Sequence, residues 1–288
     1  MSGAQGAEGA DGRRYHGLRV LEVLRVEEIT PHMRRLVLGG AEIAGFGAGP
    51  NLKLLIPPDG LDAPEWPLEG VDGRPQWPPE DRRPIPRTYS VRRFDAARGE
   101  LWVDFVRHGH DGPAARLVRR AKAGDLVGVG GPGGRTLPPA PNVLLAGDHS
   151  ALPSIAAILE RLPADACGHA LVEVPGAADE QDLPHPRGIS LRFLHRNGAA
   201  PGTTRLLEDA VRMLNLPAGD AFAAWVAAES EAARALRAHL RDERGLKPRA
   251  LVAVGYWKRG LSEPAYHAAH DHDRDADYHQ AAREEEAV

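Results

Sequence analysis

Apolar and polar residues alternate in short runs through the first half of the chain, the signature of strands with one buried face. Residues 18–26 and 33–38 follow this pattern, and the second run stops at Gly39-Gly40. Residues 51–56 form a third run that ends at Pro57-Pro58, and residues 100–106 and 125–129 repeat the alternation. Residues 87–92 leave the Pro-rich stretch 77–86, whose prolines favour extended backbone before and within them, so this hexapeptide enters as a strand. Many short strands with turn signals predict an antiparallel barrel over residues 15–137. Pro138, Pro139 and Pro141 mark a linker at 138–142, after which the pattern changes. Buried-strand runs at 143–147, 169–174, 190–195, 221–226 and 250–254 are interleaved with helical stretches at 155–159, 203–214 and 231–244. Such alternation predicts a parallel sheet over 143–262, with ligands beyond the carboxyl ends of its strands. Residues 1–14 are small and polar and read as disordered, and 263–288 read as a polar His/Asp/Glu-rich tail, helical or disordered. The segment 59–86 is a long loop dense in Pro, Gly and Trp, a kind of loop that is often functional.

Composition narrows the classes. A chain of 288 residues suits two domains, each with its own core. A formal charge of −4 argues against nucleic acid as the main partner. One cysteine, Cys167, excludes a disulfide framework and a four-thiolate iron–sulfur cluster within this chain. No apolar run approaches membrane-spanning length, and the Gly/Ala/acid start is unlike a signal peptide. The expectation is a cytoplasmic protein without membrane contact, a monomer by default. The tail histidines 267, 270, 272 and 279 lie beside acids without a closed ligand spacing, so no metal site is expected.

Four segments carry candidate chemistry. In Arg87-Thr88-Tyr89-Ser90-Val91-Arg92 strand periodicity puts Thr88, Ser90 and Arg92 on one face and Arg87 and Tyr89 on the other. A cation, an aromatic plane and a hydroxyl so close together suit a ligand with a phosphate and a flat polar ring, although an ordinary edge strand would also use these residues. In His108-Gly109-His110-Asp111-Gly112-Pro113-Ala114-Ala115 a helix starts at Pro113, and its free amide groups make an anion site or simply a capped end. Gly147-Asp148-His149-Ser150-Ala151-Leu152-Pro153 is a strand-to-helix turn in which Ser150 either meets a nucleotide or caps the helix, and His149 makes the charge pH-sensitive. Gly255-Tyr256-Trp257-Lys258-Arg259-Gly260 ends the last strand, where it either faces the crevice and meets flavin or substrate or forms a solvent-exposed basic turn with its two aromatics packed on the core.

These motifs, in this order, resemble those of the siderophore-interacting protein family, ferredoxin-reductase-like flavoproteins. The resemblance runs from about residue 18 to residue 260 and rests on Arg-x-Tyr-Ser-x-Arg at 87–92, His-Gly-x-x-Gly-Pro-Ala at 108–114, Gly-Asp-x-x-Ala-Leu-Pro at 147–153 and Gly-Tyr-Trp at 255–257. It implies a six-stranded FAD-binding barrel followed by an NAD(P)H-binding parallel-sheet domain. FAD contacts are implied for Arg87, Thr88, Tyr89, Ser90, Arg92, Asp104, Phe105, Val106, His108, Gly112, Pro113, Ala114, Ala115, Asp148, Ser150 and Trp257. Gly147, His149, Arg196 and Glu229 are implied for the nicotinamide nucleotide, and Glu229 reads equally as a helix cap. Lys53, Arg135, Lys258 and Arg259 are implied as a basic mouth for an anionic ferric siderophore. The sequence departs from the family at Ala115, where a Ser hydroxyl is replaced, at His149 and Ser150, and at Arg135, displaced within Gly131-Pro132-Gly133-Gly134-Arg135. The implied activity is reduction of chelated Fe(III) by NADPH or NADH through FAD, with no acid or base acting on the iron. Two alternatives stay open: a flavoreductase acting on free flavin or a protein acceptor, and a non-catalytic siderophore-binding module.

Overall fold

The computed structural model describes residues 14–61, 63–107, 109, 111–217 and 222–286. His108, Ala221 and the segment 1–13 lie outside the described residues.

The first half folds as one antiparallel sheet. Its strands are β1 (Leu18–Thr30), β2 (Met33–Gly39), β3 (Asn51–Ile56), β6 (Ile85–Ser90), β7 (Arg93–Asp95), β8 (Glu100–Val106) and β9 (Leu126–Gly133), with a hairpin of β4 (Leu68–Glu69) and β5 (Pro75–Gln76) in the long loop. The sheet order is β6-β3-β9-β1-β2-β8-β7, seven strands where six were expected. The extra strand arises because the segment 85–95 breaks at Val91-Arg92, so its two parts line opposite ends of the sheet order and bring those ends together. Alternation sets the faces: on β3, Leu52 and Leu54 are buried while Lys53 between them is exposed. Leu21, Leu36, Leu54, Val103, Phe105 and Val127 fill the interior. Helix α1 (Pro113–Arg120) covers one end of this core through Leu117 and Val118.

The second half is a five-stranded parallel sheet in the order β12-β11-β10-β13-β14. Its strands are β10 (Asn142–Gly147), β11 (Cys167–Val174), β12 (Gly188–His195), β13 (Phe222–Glu229) and β14 (Leu251–Trp257). All eight residues of β13 are buried, as expected for a strand with both faces covered. One face, with Val143, Leu145 and Trp225, packs on α2 (Leu152–Leu159), and the other, with Leu144, Ala146 and Val226, packs on α3 (Leu206–Arg212) and α4 (Ser230–Ala238). Two further helices, α5 (Glu263–His270) and α6 (Ala276–Glu286), give the tail a defined course.

The halves share a seam. Met33, wholly buried, belongs to the second domain's core, and Ile29 and Val106 pack against the same cluster. Burying a side chain of that size contributes about 2 kcal/mol. The Asp179 carboxylate accepts from Thr30 Oγ1 at 2.8 Å and from the His32 amide at 3.0 Å, which ties the β1–β2 turn to the second domain. No helix among the described residues is long and apolar enough to cross a membrane.

Candidate functional site

Strand β6 pairs with β3 on one side only, in the register Leu52↔Tyr89, Lys53↔Thr88 and Leu54↔Arg87, and its other edge has no strand partner among the described residues. A bare strand edge presents backbone donors to a ligand. Tyr89 lies partly buried on the core with its ring 4.3 Å from that of Phe105. Burial pushes its phenol well above the ordinary tyrosine range, and the Glu263 charge adds to this. Arg87 is oriented along the same edge, donating to the Pro86 carbonyl at 2.8 Å. Ser90 and Arg92 turn the other way, into the seam. Ser154 Oγ of α2 donates to Ser90 Oγ at 2.6 Å and stands 3.0 Å from the Tyr256 hydroxyl. Arg92 pairs with Glu160 at 2.6 Å, while its buried Nε and Nη1 have no partner among the described residues.

Phe105 packs inside the barrel, whereas Asp104, its neighbour on β8, lies on the opposite face, the one that carries Val106 into the seam. Asp104 accepts from Arg35 Nε at 2.6 Å and from Nη2 at 2.8 Å, and the Arg35 guanidinium lies 4.5 Å over the Trp102 ring. This bidentate pair ties β2 to β8 and engages both carboxylate oxygens. Val106 lies in the seam between domains.

Helix α1 begins as the sequence predicts, with Pro113 in its first turn and Gly112 extended before it. No side chain caps this end. The nearby Asp111 carboxylate is instead engaged by Arg119 and by Arg116, 3.6 Å away, and this pairing holds it below the usual carboxylate range. The first-turn amides, those of Ala114 and the buried Ala115 included, have no intrahelical acceptor, and the acid beside them is neutralised. Helix α1 packs near β3, the strand that pairs with β6. An amide-lined helix start, a cation and an aromatic plane fit a dinucleotide carrying a flat ring system.

At the carboxyl ends of β10, β13 and β14 the polar residues mostly bond one another. Gly147 has to be glycine, because a Cβ there would stand 2.7 Å from the Ala227 carbonyl oxygen and 2.5 Å from the Ala151 Cβ. Asp148 next to it is a hub. Its Oδ1 accepts from the Ser150 amide at 2.9 Å and from Ser150 Oγ at 2.5 Å, and its Oδ2 accepts from the Glu229 amide and from Trp257 Nε1, both at 2.8 Å. Burial raises the Asp148 pKa, and these four donors oppose the rise. Ser150 is thereby spent on Asp148 and does not cap α2, whose N-cap is Ala151. Glu229 takes the capping role that the sequence left open. Its Oε2 accepts from the Glu231 amide at 2.6 Å, and its Oε1 accepts from the Arg259 amide at 3.1 Å. Arg196 faces Glu173 at 3.5 Å in a largely buried pair, and Thr204 donates to the same carboxylate at 2.7 Å. Sequence reasoning missed Glu173, although an acid at the end of a parallel strand was a readable signal. His149 is 5% exposed, and burial, helped by the positive charges of Arg196 and His32, pushes its pKa down to about 4 against the pull of Asp179. It is therefore neutral near pH 7, and the pH sensitivity expected of this position falls well into the acid range.

The siderophore-interacting FAD-binding domain matches residues 22–136, and the siderophore-interacting protein model matches residues 140–260. Ferric vibriobactin reductase ViuB of Vibrio cholerae is 35% identical over 257 residues, which cover 86% of this chain and 92% of the relative. The chain belongs to the siderophore-interacting protein family. Similarity extends to the NADPH-dependent ferric-chelate reductase of Escherichia coli K12, 31% identical over 249 residues that cover 83% of this chain and 92% of the relative. The crystal structure of the siderophore-interacting protein SipS from Aeromonas hydrophila superposes with a TM-score of 0.77 at 34% identity, covering 90% of this chain and 98% of SipS.

In this siderophore-interacting protein the four basic residues expected at the mouth differ in exposure. Arg135 is 4% exposed, donates to the Leu251 carbonyl at 3.1 Å and lies 5.3 Å over the Tyr278 ring, so it faces the tail and not solvent. Arg259 is exposed and Lys258 half-buried where β14 ends. Lys53 is exposed on β3 and donates to Thr88 Oγ1 at 2.6 Å. The sequence did not foresee that Glu263, the first residue of α5, reaches the β6 edge. Its Oε1 accepts from the Thr88 amide at 3.1 Å and from Thr88 Oγ1 at 2.9 Å. The tail reads as polar in sequence, and only its packing reveals where that carboxylate lands.

Proposed function

We propose that this chain is an FAD-dependent NAD(P)H:ferric-siderophore oxidoreductase acting in the cytoplasm as a monomer, with a barrel of residues 15–137 for flavin and a parallel-sheet domain of residues 143–262 for the nicotinamide nucleotide. The observation that carries the reading is the edge of β6 that no strand covers, where Arg87, the Thr88 amide and the Tyr89 ring lie within three residues, and the uncapped start of α1 is a second element able to hold negative charge. Bound FAD supplies the conversion of a two-electron donor into the single electrons that Fe(III) accepts. The chain's own residues place and enclose it. Arg87 and the α1 amides hold negative charge, Tyr89 offers a rigid face backed by Phe105, and the Ser90–Ser154–Tyr256 bonds fix β6 against α2 and β14. Asp148 holds the ends of β10, β13 and β14 in one constellation and so acts on the nucleotide crevice by positioning. Reduction releases iron because hard oxygen chelators hold Fe(III) far better than Fe(II).

The test is reconstitution with FAD, followed by steady-state assays with NADH or NADPH against a ferric siderophore, free flavin and a protein acceptor. Turnover of the ferric chelate with a flavin absorbance spectrum is expected. Preference for free flavin or for the protein acceptor would make the chain a flavoreductase, and failure to take up FAD would leave a chelate-binding module. The basic end of β14 supplies docking charge for an anionic chelate. The double variant Lys258→Ala, Arg259→Ala is expected to raise KM for an anionic ferric chelate about three- to tenfold relative to a neutral acceptor, the scale of exposed charge contacts. An equal change with both acceptors would remove these two residues from docking.

A further inference from the structure

The carboxylate of Glu263 lies among groups that would otherwise hold an anion. Besides its two bonds from Thr88, it stands 3.9 Å from Lys53 Nζ and 3.5 Å from Arg87 Nε. A backbone amide, a hydroxyl and two cations around one carboxylate form the arrangement in which phosphate oxygens are held. The carboxylate is delivered by a segment fixed at one end and loosely held at the other. Tyr266, one turn along α5, is wholly buried, and its hydroxyl occupies the space that a side chain on Gly255 would fill and bonds Asp273. Behind it, Asp271, His272 and Asp273 all adopt positive φ, from 44° to 55°, and His272 Nδ1 approaches the Gly255 carbonyl at 3.2 Å. Three consecutive non-glycine residues in the left-handed region persist only where surrounding contacts impose them. Ahead of Glu263, residues 259–262 are all exposed, and Gly260 has a φ of 82°.

We propose that Glu263 holds the seat that the FAD pyrophosphate takes, so that α5 is a strap whose leading end is displaced as the dinucleotide enters and whose charge sets flavin affinity. The inference rests on the flavin reading of the β6 edge. Two cations face one carboxylate charge in the free protein, whereas the two charges of a pyrophosphate match both. Exchange is therefore favourable, and its gain is reduced by the contacts that Glu263 surrenders. Removing the Glu263 charge removes that competition.

The experiment is equilibrium titration of the full chain with FAD and, separately, with riboflavin, which lacks phosphate, following quenching of flavin fluorescence in wild type and in Glu263→Gln. Glu263→Ala serves as a second variant, and circular dichroism confirms that each is folded. Both variants are expected to bind FAD about two- to fivefold more tightly than wild type, the scale of a partly exposed ion pair, with riboflavin affinity unchanged. Tryptic cleavage at Lys258 and Arg259 is expected to rise when FAD is added to wild type. Unchanged or weaker FAD binding by the variants, while wild type binds FAD, would overturn the strap proposal alone. An equal gain for riboflavin would do the same, since the effect would not involve phosphate. A fall in KM for the ferric chelate without a change in FAD affinity would overturn it too, by assigning the seat to the chelate. Failure of wild type and variants alike to bind FAD would remove the flavin reading, and this inference with it.

Discussion

Asp104→Ala is expected to destabilise the protein by about 3–5 kcal/mol, the cost of leaving one member of a buried ion pair without its partner. The Asp104 side chain is 1% exposed and that of Arg35 is 9%. With the carboxylate gone, Arg35 keeps its place over Trp102, and its nearest remaining acid is Glu27, 3.9 Å away. Urea denaturation measures the loss. A double replacement by apolar residues, Arg35→Met with Asp104→Leu, is expected to recover most of it, because no charge is then left buried. Family resemblance assigned Asp104 to the flavin, and the same experiment separates that role from the one seen in the barrel. A variant with an unchanged urea midpoint and weakened FAD binding would restore the ligand role and sink the structural one.

The case of Asp104 illustrates which parts of the molecule could be read in advance. Strands were legible because alternation is local: β3 and β8 fall on the residues that periodicity marked, and α1 starts at its Pro113. The break at Val91-Arg92 was not legible, since residues 87–92 look continuous in sequence and the bend serves closure of the sheet. Site residues were legible as types and much less as partners. Tyr89 and Arg87 lie on the strand whose outer edge no other strand covers, but Ser90 bonds Ser154 of the other domain and Asp148 bonds Trp257 more than a hundred residues on. A hydroxyl or carboxylate at a strand end looks the same in sequence whether it awaits a ligand or joins two elements. Only long-range packing decides between these roles, and for Arg135, turned toward Tyr278, it decides against the solvent-facing position that a docking residue needs.

Acidification is expected to destabilise the wild-type protein through His149 by about 3 kcal/mol between pH 6.5 and pH 4. The folded-state pKa is near 4, whereas the imidazole of an unfolded chain titrates at its ordinary 6.5. Between these values the unfolded chain binds a proton that the folded chain refuses, so stability falls as pH drops through the window and levels off below it. Above pH 6.5 the group is neutral in both states and contributes no slope. The cause is a site that offers the cation little: His149 is 5% exposed, its Nε2 has no partner among the described residues, and Arg196 and His32 repel added positive charge while Asp179 alone attracts it. His149→Gln keeps a neutral polar side chain there and removes the titration. Urea midpoints at pH 7.5, 5.5 and 4.5 should diverge, the wild type losing more stability than the variant on each step down. Parallel losses in the two proteins would show that the imidazole protonates in the folded state as readily as in the unfolded one, and the burial argument at this strand end would fail.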